Sequence, residues 1–194
     1  MEKIKSAYEM ALERFEQRAA VSPEELERTD NLQRGKTMAA EFLRDSKYDL
    51  DGKLKEKPAH THEYLIEGMA DTFIKNIQLP TDSASVETNL RAISGLMIIK
   101  KQKEKVLAVF EQLKHLFTYY EKASIQTYDQ LKEEYRAKII AKAKSMGYGD
   151  VVEQNVDPER YAGFREDWMK IRMRLNDQYQ GILIEQKDKL RQVD

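Results

Sequence analysis

A chain of 194 residues with 41% hydrophobic and 35% charged residues is long enough for one domain with a substantial core, or for a core with an extension. Eight glycines and four prolines are too few for a loop-rich or all-β fold, and the lack of cysteine excludes disulfides and cysteine-ligated metal sites. A net charge of −1 argues against a general nucleic-acid binder.

The sequence contains neither a secretory signal nor a membrane span. Residues 1–8 lack the apolar segment of a signal peptide, and the longest apolar run covers residues 96–99. A span needs about 20 apolar residues. We therefore expect a cytoplasmic protein without membrane insertion.

The first 80 residues read as a helical region with helices over 3–20, 22–45 and 61–78. The first is amphipathic, with Tyr8 and Phe15 on its apolar face. Ser22, Pro23 and Glu25 form a capping box with proline at the first helical position. Gly35 lies inside the second helix and marks either a close approach or a kink. Residues 46–60 are polar and are predicted to form a loop.

Three segments of this region, IKSAYEMALER, SPEELER and RGKTMAAEFL, resemble the opening of a family of uncharacterised bacterial helical proteins. The resemblance covers about the first 45 residues. It implies a bacterial, cytoplasmic protein and carries no activity that could be transferred.

The longest helical stretch is 83–146, which has no proline and a single glycine. Its apolar residues recur at steps of three and four, as on one face of a helix: Val86, Leu90, Ile93, Met97, then Val106, Phe110, Leu113, Phe117, Tyr120, Leu131 and Tyr135. This pattern predicts one continuous helix. Two breaks are alternatives: a loop at the lysine run 100–105, and a capping box over residues 127–130.

A final helix is predicted over 158–190, after a glycine stop signal at 147–149 and an Asp157-Pro158 start. Its apolar seam has alternating steps of three and four: Tyr161, Phe164, Trp168, Ile171, Leu175, Gln178 and Ile182. The seam would pack against 106–146 as an antiparallel hairpin or serve as an interface with another subunit. The predicted fold is therefore all-α, with an N-terminal helical region over 1–80 and a long, coiled-coil-like hairpin over 83–194.

Metal and catalytic motifs are sparse. His60 and His62 could present two imidazoles to a metal, or could be solvated at a helix start. No histidine follows a glutamate by three residues, which argues against a di-iron bundle. No phosphate loop or hydrolase motif is present. We therefore expect no cofactor and no catalytic residues.

The lysine run offers an anion-binding hypothesis. Lys100, Lys101, Lys103 and Lys105 could contact phosphates or acidic headgroups in a salt-dependent way. On a continuous helix, however, these side chains would spread around the axis as a solvated stretch.

Our first hypothesis is a non-enzymatic structural or interaction protein that presents helical surface to another protein, including a second copy of itself. The first alternative is a module for an anionic partner, bound through the lysine run. The second is a metal-binding protein that uses His60 and His62.

Overall fold

The computed structural model describes Tyr8, Met10 and residues 22–147 and 156–194. Within these residues the chain is helical and has no strand, so the all-α prediction is confirmed. The helices are α1 (Pro23–Arg44), α2 (Leu50–Lys55), α3 (His62–Asn76), α4 (Ser83–Ile99), α5 (Lys103–Ser145) and α6 (Phe164–Gln192). Short 3-10 turns occupy Ala59–Thr61 and Pro158–Arg160. The predicted helix 3–20 lies outside the described residues apart from Tyr8 and Met10.

The chain divides into two compact units. Unit 1 comprises Met1–Asn76 and Arg91–Ile99, and unit 2 comprises Ile77–Leu90 and Lys100–Asp194. Helix α4 therefore gives its first half to unit 2 and its second half to unit 1. The predicted domain boundary between residues 80 and 83 lies close to the change from unit 1 to unit 2 after Asn76. The predicted division itself remains a prediction.

Unit 1 is built on α1 and α3, which run in the same direction. Glu27 near the start of α1 lies 3.2 Å from His60, just before α3, and the rings of Phe42 and Phe73 near the two helix ends are 5.7 Å apart. Ser22 caps α1 by accepting a hydrogen bond from the Glu25 amide at 3.2 Å, and Pro23 is the first helical residue. Two glycines let the backbones touch: a Cβ on Gly35 would lie 2.2 Å from the Leu65 carbonyl oxygen, and one on Gly68 would lie 2.2 Å from that of Leu32. Gly35 thus marks a close approach between helices.

The predicted loop 46–60 is wrong in its centre, where α2 forms. Asp49 caps this helix by accepting a hydrogen bond from the Gly52 amide at 2.9 Å. Leu50 and Leu54 are buried. Burial of these two leucines stabilises a six-residue helix that its polar composition alone does not predict.

The second half of α4 completes unit 1. The Phe73 ring occupies the space beside Gly95, where a Cβ would lie 2.4 Å from the ring. The Arg91 guanidinium donates hydrogen bonds to the carbonyls of Phe42 and Asp45 at the end of α1. Arg91 therefore satisfies carbonyl groups that a helix C-terminus leaves without partners.

Unit 2 contains the predicted antiparallel hairpin of α5 and α6. Contacts pair rising residue numbers on one side with falling numbers on the other: Gln102 N with Asp194 O at 2.9 Å, Tyr120 OH with Asn176 Oδ1 at 2.6 Å, and Tyr135 OH with Asp167 Oδ2 at 2.6 Å. Helix α5 has 43 residues, which corresponds to roughly 65 Å. Gly147, at φ +78°, follows its end.

The prediction of one helix over 83–146 is wrong, because the chain leaves the helix between Ile99 and Lys103. No proline or glycine causes this break. Instead, the Lys100 ammonium donates to the Val193 carbonyl, and the Gln102 amide donates to the Asp194 carbonyl. The break lies in the one part of the stretch without an apolar residue, so leaving the helix there exposes no core side chain. The alternative break at 127–130 does not occur, since α5 continues through it.

The α6 seam is predicted correctly only in its first half. Phe164 is buried and Trp168 half-buried, but Gln178 and Ile182 are exposed. The buried row continues instead through Leu183, Gln186 and Leu190. Two consecutive steps of four, from Leu175 to half-buried Tyr179 and on to Leu183, rotate the row relative to a strict heptad.

Candidate functional site

An apolar groove in unit 2 is the candidate functional site. It is lined by Val86 and Leu90 of α4, Phe110 and Phe117 of α5, and Trp168 of α6, and its volume is about 780 Å³. Val86 and Leu90 are exposed, and the three aromatic side chains are half-buried. Large apolar side chains from three helices therefore face one partly open space.

Helical periodicity explains why the groove exists. The buried row of α5 comprises Val106, Val109, Leu113, Leu116 and Tyr120. The predicted row is correct for Val106, Leu113 and Tyr120, which are buried, but it also contains Phe110 and Phe117, which are only half-buried. Each phenylalanine follows a buried residue and is rotated by about 100° from it, so its ring lies beside the α5–α6 seam.

Hydrogen bonds fix the segment that forms one edge of the groove. The Asn89 side-chain amide accepts from the Gln78 amide and donates to the Gln78 carbonyl, both at 2.8 Å. Asp82 accepts a hydrogen bond from the Ser85 amide at 2.8 Å, and its hydrogen bonds to Ser85 lower the pKa of Asp82. The edge is therefore held before any ligand arrives.

A second cavity continues the groove past Ser124, Ile125 and Trp168, which line both spaces. It has a volume of about 500 Å³ and is also lined by Tyr128, Phe164 and Arg165. The Tyr128 ring packs edge-on against those of Phe164 and Trp168, with centroids 5.8 and 4.9 Å apart. These edge-to-face contacts pack the three rings together along one side of the cavity.

Polar side chains next to these aromatic rings are paired with one another. Tyr135 donates a hydrogen bond to Asp167 at 2.6 Å, which raises the pKa of Tyr135 to about 12 and lowers the pKa of Asp167. Lys132 lies 2.9 Å from Glu159, which lowers the pKa of Glu159. A tyrosine held in its protonated form and a carboxylate held in its ionised form are poor candidates for acid–base catalysis near neutral pH.

Charges of both signs line the groove. Lys114 and Arg172 are basic, whereas Asp82 and Glu121 are acidic. Lys114 pairs with Glu111 on its own helix, and its ammonium lies 5.3 Å from the Phe110 ring centroid. Because the groove carries both positive and negative side chains, its charges complement a protein surface that also carries both signs better than they complement a polyanion.

The structure brings most of the predicted seam residues together within one chain. Phe164 is buried with Leu131 and Tyr135, and four half-buried or partly buried side chains pack on this cluster: Tyr128, Tyr161, Trp168 and Ile171. Leu175 is half-buried farther along α6. Sequence analysis missed Ile125 and Asn89 as groove residues, because one lies in a weak part of the pattern and the other is a lone polar residue.

The lysine run is divided by the structure. Lys100 lies in the break and its ammonium contacts the Val193 carbonyl, where burial lowers the pKa of Lys100. Lys101 is also in the break, and Lys103 and Lys105 begin α5. These last three are exposed.

The two candidate metal ligands have separate neighbours. His60 Nε2 lies 3.2 Å from Glu27 Oε1, and His62 Nε2 lies 2.9 Å from the Lys57 carbonyl oxygen. The described part of the chain contains no group of three or more histidine or carboxylate side chains arranged for a metal. Binding of metal by this pair stays a prediction.

Comparison with protein families identifies the family of this chain. A model for a family of unknown function, DUF6657, matches residues 51–192. The chain belongs to this family. DUF6657 membership confirms the predicted relationship to an uncharacterised family, although the match begins after the 45 residues that carried the resemblance. It runs from the second residue of α2 to the end of α6 and therefore covers the groove, but it transfers no activity.

No curated protein and no solved structure matches the chain. Among the described helices, none is long and apolar enough to cross a membrane.

Proposed function

We propose that this protein is a non-enzymatic helical scaffold that associates with a second copy of itself through the groove of unit 2. The observation that carries the proposal is the row of incompletely buried apolar side chains from three helices, with Leu90 51% and Ile125 58% exposed. Contiguous apolar surface of this kind marks interaction sites on proteins.

The groove has the dimensions of a helix-binding surface. Phe110, Phe117 and Ser124 line it at intervals of seven residues, which span roughly 21 Å along α5. A helix of about four turns with apolar residues on one face would cover this length.

The same chain carries a helix face suited to this groove. Met169 and Met173 lie one turn apart on α6 and are 57% and 64% exposed. Each follows a groove residue, Trp168 and Arg172 respectively, so the methionine row adjoins the groove. Methionine side chains adapt readily to irregular apolar surfaces.

The charges also favour a copy of the same chain as the occupant. A two-fold interface brings the same patch together from both subunits, so it needs both signs of charge within that patch. Lys114 and Arg172 provide the positive charges, and Asp82 and Glu121 provide the negative ones.

Light scattering after gel filtration tests this proposal on the full chain. We expect a mass of two chains for the unmodified protein. Leu90→Glu should raise the dissociation constant of the dimer on the order of tenfold or more, because it places a charge in an apolar interface. Leu26→Glu in α1 is the matched control, since Leu26 is 55% exposed and lies outside the groove.

Trp168, the chain's one tryptophan, provides a second readout. Dilution of the unmodified protein and of the control should shift its emission to longer wavelength as the groove becomes solvated. A monomer at all concentrations, or a dimer that Leu90→Glu leaves intact, would overturn the proposal. A monomer whose Trp168 emission responds to an added amphipathic helical peptide would assign the groove to a different protein.

A further inference from the structure

A second surface lies at the end of the hairpin where α5 begins and α6 finishes. The Gln102 amide donates to the Asp194 carbonyl at 2.9 Å, and the Lys189 ammonium lies 3.0 Å from Gln112 Oε1. These contacts bring the lysine run next to the last two turns of α6. The basic end, as we name it, consists of Lys101, Lys103, Lys105, Lys187 and Arg191.

Three cations of the basic end are available to a ligand. Lys101, Lys103 and Lys105 are exposed and have no hydrogen-bond or ion-pair partner in the ranges that the structure describes. Within residues 101–105 the one acidic residue is Glu104, and the adjoining end of α6 adds Asp188 and Asp194. Arg191 of the basic end already pairs with Asp188, and the adjacent Lys100 contacts the Val193 carbonyl.

The helix break changes what the lysines can do. Along a continuous helix they would surround the axis and could not face one ligand together. Side chains in the first turn of a helix tilt toward its N-terminus, so those of Lys103 and Lys105 lean toward the break that contains Lys101. The run therefore becomes an end surface that can meet a flat, negatively charged partner.

Exposed aliphatic side chains accompany the cations. Leu107 lies one turn after Lys103 and Ile184 one turn before Lys187, and both are exposed. No aromatic residue occurs in 98–107 or 184–194. Surfaces for single-stranded nucleic acid combine cations with aromatic side chains that stack on bases. Lysines beside exposed aliphatic groups are instead typical of segments that bind the interface of acidic membranes.

We propose that the basic end binds the surface of a membrane rich in anionic lipids. The lysine ammonium groups contact lipid phosphates, and Leu107 enters the headgroup region. The contact is peripheral. It uses residues outside the groove, so it holds whether or not the chain self-associates.

Co-sedimentation of the full chain with vesicles tests this inference. The probes are vesicles of phosphatidylcholine mixed with phosphatidylglycerol, and vesicles of phosphatidylcholine alone. We expect binding to the mixed vesicles at low salt, release at high salt, and no binding to phosphatidylcholine alone. The variant Lys101→Glu/Lys103→Glu/Lys105→Glu should lower the partition coefficient on the order of 100-fold.

Matched variants separate the basic end from net charge. Lys47→Glu/Lys57→Glu/Lys144→Glu makes the same charge change at exposed positions elsewhere and should retain most of the binding. Leu107→Ser should lower the partition several-fold at constant salt. Circular dichroism checks that all variants keep their helicity.

Four results would overturn the proposal. The first is no binding to mixed vesicles, and the second is equal loss in both triple variants. The third is an unchanged partition coefficient for Leu107→Ser, because binding through the lysines alone would be purely electrostatic and would not distinguish a membrane from any other polyanion. The fourth is binding of duplex DNA, but not vesicles, that depends on Lys101, Lys103 and Lys105, which would assign the surface to nucleic acid.

Discussion

At the scale of single residues, glycine sets the geometry of unit 1. Gly35 faces the Leu65 carbonyl, and Gly68 faces that of Leu32, so each helix offers one glycine to a backbone oxygen of the other. The contact is reciprocal because the carbonyl that each glycine meets lies three residues before the glycine of the other helix. A backbone carbonyl cannot move aside as a flexible side chain can, so both positions exclude a Cβ at the observed helix separation.

Gly68→Ala is therefore expected to destabilise the protein by about 1–3 kcal/mol, the usual cost of overpacking a core. Gly181→Ala is the matched control. Gly181 also lies within a helix, but nothing lies within 4 Å of its added Cβ, so alanine should stabilise that helix by about 0.5–1 kcal/mol. Urea unfolding followed by circular dichroism measures both changes. Equal stabilisation by the two variants would contradict the close approach of α1 and α3.

At the scale of elements, the hairpin does not follow one heptad along α6. The buried row passes from Leu175 through Tyr179 to Leu183, where a strict heptad would continue to Gln178 and Ile182. The extra step of four brings Leu183 and Leu190 into the interface with α5 and leaves Ile182 exposed. Two adjacent aliphatic residues thus have opposite environments.

Leu183→Ala should cost about 2–5 kcal/mol, as for other fully buried leucines. Ile182→Ala should change stability by less than about 0.5 kcal/mol, because Ile182 is 44% exposed. Thermal unfolding of the two variants provides the comparison. If Ile182→Ala were the more destabilising, the strict heptad would describe the hairpin and the observed row would be wrong.

At the scale of the whole molecule, the two units do not follow the order of the chain. Residues 91–99 belong with 1–76, although 77–90 belong to the other unit. Ala92, Ile93, Leu96 and Ile99 are buried. The predicted N-terminal region over 1–80 therefore lacks a part of unit 1 that carries core side chains and the Arg91 cap of α1.

Fragments test which boundary describes the molecule. A fragment of residues 1–99 should unfold cooperatively and at a higher temperature than a fragment of residues 1–80, because it buries Phe73 against Gly95. Circular dichroism during heating measures both. Identical melting of the two fragments would favour the predicted boundary between 80 and 83.

The sequence by itself determined the helical class and many helix ends. These follow from local chemistry: the Ser22 cap, Pro23 and the glycine after α5 act within one turn of where they stand. The start predicted at Pro158 is wrong, because Pro158 opens only a 3-10 turn and α6 begins at Phe164. It also predicted the hairpin, since an apolar row of that length has to be buried. Phe164 and Trp168 were correctly predicted to be part of this seam.

Tertiary structure decided the rest. The break at 100–102 is stabilised by contacts with Val193 and Asp194, about 90 residues away in the chain. The lack of apolar residues in 100–105 permits a break, but neither proline nor glycine requires one. The half-buried position of Phe110 and Phe117 beside the seam depends on which side of α5 faces α6, and two adjacent apolar residues leave that choice open. The groove and the basic end both arise from these long-range choices, because each combines side chains from separate helices.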